Sequence, residues 1–146
     1  MDRPADWRSH LAAHIEANRY RPFEWGEHDC ALWSTSARSI ARGVPDPGDP
    51  YRSTYTSAVG AVRRLIELDD VRTVVELADR LFGDRQNVAM AKAGDVVAGD
   101  LSKMGIGEEE DAGLSLGICF GALSYFAGHE GLVAIPTLNL EHCYHG

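Results

Sequence analysis

Phe23-Glu24-Trp25-Gly26-Glu27-His28-Asp29-Cys30, running without a breaker into Ala31-Leu32-Trp33-Ser34, is the stretch on which the fold of this chain turns. Two aromatics and a glycine read as a loop, and the run from Ala31 to Arg42 reads as a helix. Cys30 is therefore expected at, or just inside, a helix N-terminus. There the backbone N–H groups lack intrahelical acceptors and the helix dipole favours negative charge. A thiol in that place has its thiolate favoured, which makes it a candidate nucleophile. The alternative is a small apolar residue at a helix–sheet contact, a common role for buried cysteine.

Upstream of the loop, Trp7, Leu11 and Ile15 recur at helical spacing and predict an amphipathic helix over about residues 4–18, ended at Arg21-Pro22. Downstream, Leu32, Trp33, Ala37, Ile40 and Ala41 give the helix behind Cys30 an apolar stripe, read as core, with Gly43 as its C-terminal cap. Val44 to Pro50 carries three prolines in six residues and reads as a stiff loop, a rigid contact for a partner. A helix is expected at about 55–68, and Asp69-Asp70 is expected to start a short helix through Leu81. The rest is β, with strands at about 95–99, 114–121, 122–127 and 131–135 and a turn at Gly128-His129-Glu130-Gly131. The acidic run Glu108–Asp111 reads as a solvated hairpin tip, because a calcium loop needs alternating ligands around a turn glycine. Gly105-Ile106-Gly107 lacks the strand–helix setting of a dinucleotide site. Leu138 to His145 is apolar and aromatic but lies beyond the last expected core strand, so it is expected to be covered by another protein.

Three pieces, taken together, resemble the NlpC-type cysteine peptidases, a branch of the papain-like superfamily that cuts peptidoglycan stem peptides. They are the Asp29-Cys30 helix opening, Gly94-Asp95-Val96-Val97, and Leu116-Gly117-Ile118-Cys119-Phe120-Gly121. The resemblance implies an α+β, papain-like NlpC-type fold over a single domain, 1–146, with N-terminal helices followed by a small antiparallel sheet. It implies Cys30 at the nucleophile position, facing the strand that carries residue 115. The family's general-base histidine lies two residues before the strand glycine, and here that position is Ser115. Its third, polar residue falls at about Ala127 or Gly128. A serine hydroxyl does not take a proton from a thiol at neutral pH. His28 and His129 are the alternative bases, His28 being expected to point away from Cys30 or to pack against Trp25. The chain is more specifically similar to short phage, prophage and gene-transfer-agent tail proteins of this fold. They share the opening Pro22-Phe23-x-Trp25-Gly26-x-His28-Asp29-Cys30, the Leu116–Gly121 strand and the Gly131-Leu132-x-x-x-Pro136 finish. That likeness implies a structural component near the tip of a phage-like tail: a pseudo-peptidase located in the virion and held by other tail proteins. The alternatives are an active cell-wall endopeptidase delivered by the particle, or a non-cutting module that binds a peptidoglycan peptide.

A length of 146 residues, 45% hydrophobic and 25% charged, suits one globular domain with its own core. The net charge of −8, from 22 acidic and 14 basic residues, argues against a nucleic-acid partner, whose affinity comes from Lys and Arg. Membrane insertion is not expected, since no apolar run approaches the roughly 20 residues that span a bilayer. Met1 to Trp7 contains no apolar signal core, so synthesis and assembly are expected in the host bacterial cytoplasm. Three cysteines, an odd number, argue for thiols in place of a disulfide framework. His142, Cys143 and His145 are zinc-type ligands, but a closed site needs a fourth, so no metal and no cofactor is expected.

Overall fold

The computed structural model describes residues 3–102 and 113–146, so the acidic run at 108–111 and the glycines at 105 and 107 lie outside the described residues. The architecture is α+β: four helices precede a six-stranded antiparallel sheet. The helices are α1 (Trp7–Asn18), α2 (Cys30–Arg42), α3 (Ala58–Asp69) and α4 (Val74–Phe82). The strands are β1 (Gln86–Asn87), β2 (Val96–Gly99), β3 (Ser115–Phe120), β4 (Leu123–Gly128), β5 (Gly131–Pro136) and β6 (His142–Tyr144). Their order in the sheet is β1-β6-β2-β3-β4-β5.

Three of the four helices, α2 to α4, start where a side chain takes an orphan N–H group. Asp29 accepts from Leu32 N–H, Ser57 from Gly60 N–H and Thr73 from Glu76 N–H. The Ser57 cap delays α3 to Ala58, and the Thr73 cap starts α4 at Val74. Asp69-Asp70 therefore does not open a helix: it closes α3, with Asp70 in the left-handed region at φ 54°. Gly43, at φ 65°, ends α2 as its sequence position suggests.

Strand alternation divides the core into two layers. Leu116 and Ile118 of β3 face the helices. Ile118 packs with Trp33, Ala37 and Ala41 of α2 and with Leu11 and Ile15 of α1. Leu116 joins Val96, Ala98 and Tyr144 under Val75, Ala78 and Phe82 of α4. On the opposite face Val97, Cys119, Phe126, Ile135 and Cys143 are covered by Leu140, with Val88, Ala91 and Leu101 partly buried against them. The indole N–H of Trp33 donates to the Tyr125 carbonyl at 2.9 Å, which fixes α2 across β3 and β4.

One expectation is corrected. The segment 138–146 does not lie beyond the core: His142–Tyr144 enters the sheet between β1 and β2, pairing Val97 with Cys143 and Gln86 with Cys143. Cys143 is 0% and Tyr144 1% exposed within this chain. Its apolar and aromatic character is that of an interior strand, hidden in the sequence by its brevity and by His142 and His145 on either side.

Candidate functional site

The loop before α2 is a small antiparallel hairpin. Glu24 N–H donates to His28 O at 3.0 Å and His28 N–H to Glu24 O at 2.8 Å. Its turn needs Gly26, which sits at φ +79° with the place of a Cβ only 2.1 Å from the Tyr55 carbonyl oxygen. Asp29, 1% exposed, ties the region together. One carboxylate oxygen caps α2 through Leu32 N–H at 3.0 Å, and the other accepts from Gly26 N–H at 3.0 Å and from the Tyr55 hydroxyl. Burial, with the Asp29 charge beside it, pushes the Tyr55 hydroxyl far above its ordinary pKa.

That scaffold puts Cys30 at the first position of α2, half-buried. It opens onto a groove of ≈ 890 Å³ whose walls are the aromatic lip Phe23 and Trp25, the α3 face at Ala61 and Val62, the start of β3 at Ser115, and the β4–β5 hairpin including His129. Phe23 stands edge-on to Trp25, with centroids 4.8 Å apart, and its N–H donates to Gly128 O at 2.9 Å, so the lip is fastened to the hairpin. Behind Cys30 a second, small apolar pocket is lined by Trp25, Leu32, Tyr51, Tyr55, Leu65 and Leu77 among others.

Cys30, Ser115 and His129 thus share one groove, as the strand order requires, and Ala127 and Gly128 line it too. His28 does not. It is 2% exposed and packs edge-on against Trp33, centroids 5.7 Å apart. Its Nε2 has no hydrogen-bond partner among the described residues. Burial lowers its pKa to about 4, so it is a neutral core imidazole at pH 7. His129 is exposed at the hairpin turn, with its ring 6.0 Å from that of Phe23. Chemically, the groove offers a thiol at a helix N-terminus, a serine at the start of β3, and an imidazole at the rim.

The C-terminal residues separate according to strand alternation. His142 turns to the helix face, where its Nε2 meets the Tyr144 hydroxyl at 3.1 Å. Cys143 and His145 turn to the other face and meet Asp95, the ligand-type atoms of the three all lying within 4.8 Å of one another.

Sequence reasoning missed Asp95 in this trio and missed the hub role of Asp29 with Tyr55. An Asp directly before a helical run is a capping signal that could have exposed the first half of that hub. Nothing local links Tyr55 to it, or Asp95 to residues some 50 positions away.

The sequence profile of the family described as Domain of unknown function (DUF6950) matches residues 2–145. The chain belongs to that family. No curated protein and no solved structure matches it. The family match runs from before α1 through β6, so the groove, Cys30 and the C-terminal strand all lie within the family's span.

Proposed function

We propose that this chain is a structural component of a phage or phage-like tail, near its tip, built on an NlpC-type peptidase-like domain that lacks the catalytic histidine. The observation that carries the reading is the content of the groove. Cys30 sits at the helix start where a nucleophile would be, and Ser115 stands on the facing strand where the resemblance requires an imidazole. A serine hydroxyl, unlike an imidazole, does not take a proton from a thiol at neutral pH. The groove then serves as a contact surface of an assembled particle.

The test is particle composition. The chain should co-purify at fixed copy number with tailed particles from its host, and particles made without it should lack a complete tail tip. Recovery only as free protein overturns the proposal.

A second reading is favoured by one observation, that His129 lines the same groove as Cys30. In that reading the domain is an active cell-wall endopeptidase with His129 as base, and muropeptide turnover would vanish in both Cys30→Ala and His129→Ala. Binding of intact wall peptide without turnover would instead support a non-cutting binding module.

A further inference from the structure

We propose that Asp95, Cys143 and His145 form a binding site for one transition-metal dication of the zinc class, where the ends of β2 and β6 meet the C-terminal end of α2. The site is separate from the groove and does not rest on the tail reading.

The convergence follows from register. Val97 pairs with Cys143 across β2 and β6, so the same face of the two antiparallel strands carries Asp95 and Val97 on one side, Cys143 and His145 on the other. The three side chains offer a carboxylate oxygen, a sulfur and an imidazole nitrogen, all within 4.8 Å of one another. A tetrahedral zinc ion with bonds of about 2.0–2.3 Å sets its ligand atoms roughly 3.3–3.7 Å apart, so each pair needs to move by about 1.5 Å or less. Sequence spacing alone suggested His142 as a ligand and found no further one. The fold replaces His142 with Asp95.

The surroundings suit an ion. Asp95 is 1% and Cys143 0% exposed, so a carboxylate and a thiol sit side by side out of water. A dication would replace the Cys143 thiol proton: the S–H bond breaks, a sulfur–metal bond forms, and the proton leaves to solvent, while the proton that His145 Nδ1 shares with Asp95 at 2.8 Å moves to the other ring nitrogen. Thiolate and carboxylate together then balance the two positive charges. Asp95 is already oriented by groups outside the trio, accepting from Lys92 N–H at 2.9 Å and from Arg42 at 3.5 Å. Outer partners of this kind aim ligands in metal sites. His145 is only half-buried, which leaves an entry path and a fourth position for water.

Cobalt(II) is the probe, titrated into the full chain after treatment with a chelator. One equivalent should bind, giving a thiolate-to-cobalt charge-transfer band in the near ultraviolet and the visible bands of four-coordinate cobalt, both displaced by zinc. Cys143→Ser should abolish the charge-transfer band. His145→Gln, at a half-exposed position that tolerates the change, should weaken binding at least about tenfold. Cys30→Ser should leave the spectrum unchanged. No band at one equivalent overturns the proposal. So does a band lost in Cys30→Ser and kept in Cys143→Ser, or unchanged affinity in His145→Gln, which would mean adventitious binding by a thiol.

Discussion

Truncating Tyr144 to alanine should cost about 4 kcal/mol of folding stability. The ring is 1% exposed and packs beneath α4 with Val75, Ala78 and Phe82, the Phe82 ring lying 6.2 Å away. Removing a buried aromatic side chain costs about 3–5 kcal/mol, transfer and cavity together. The hydroxyl donates to the Asp79 carboxylate at 2.8 Å. A hydrogen bond to a charged group contributes about 1.5–3 kcal/mol, so Tyr144→Phe alone should cost about that much. The alanine variant would therefore consume a large share of the roughly 5–15 kcal/mol available to a whole domain. Urea unfolding followed by circular dichroism measures both. With a slope of about 2 kcal/mol per molar, Tyr144→Ala should lower the midpoint by roughly 2 M. Deleting residues 138–146 should leave no cooperative transition at all. A loss below about 1 kcal/mol for Tyr144→Ala, or a folded deletion variant, would show that β6 is a peripheral addition and that the packing described for it is wrong.

Gly26→Ala should destabilise by about 2 kcal/mol or more, because a left-handed conformation costs a non-glycine residue about 1–2 kcal/mol and the new methyl would also meet the Tyr55 carbonyl; an unchanged melting temperature would count against the loop geometry. Asp29→Ala should lose about 1–2 kcal/mol as an N-cap and should bring the Tyr55 hydroxyl back towards its ordinary pKa, which ultraviolet titration at alkaline pH reads directly. His28 gives an acid-side signature. Its folded pKa is depressed from 6.5 to about 4, so the unfolded chain takes up the proton first, and the stability it contributes is present above pH 6.5 and fades as pH falls towards 4. The span corresponds to on the order of 3 kcal/mol, and His28→Leu should flatten that part of the stability–pH curve. Muropeptides should survive incubation with the wild-type protein; turnover that disappears in Cys30→Ala would revive catalysis in the groove.

The helices were legible because their signals are local. The apolar stripes of α1 and α2, the Asp29 cap and the Gly43 stop are all written within a turn or two of where they act. β2 to β5 were legible for a similar reason: each alternates or runs apolar between glycine-rich turns. β6 was not, since three residues, two of them polar or aromatic, carry no periodicity, and their place is decided by partners at Gln86 and Val97. At the site, the position of Cys30 could be read from the helix that follows it. The burial of His28 against Trp33 could not, because two residues of sequence separation from Cys30 say nothing about which side of the α2 start the ring takes. The same limit hid Asp95 from Cys143 and His145, which only the strand register joins.

The place of β6 in the sheet also bears on how the protein is made. Ribosomes release a chain from its N-terminus onward, so β2 emerges well before the strand that will lie beside it. Until residue 144 is out, Val96, Val97 and Ala98 present a bare edge of unpaired N–H and C=O groups, on strands that are apolar on both faces. Such an edge is a template for pairing with another chain. Any nascent or prematurely stopped product that ends short of His142 is therefore exposed to aggregation and to quality-control proteases, and only the arrival of the final strand converts it into a protected molecule.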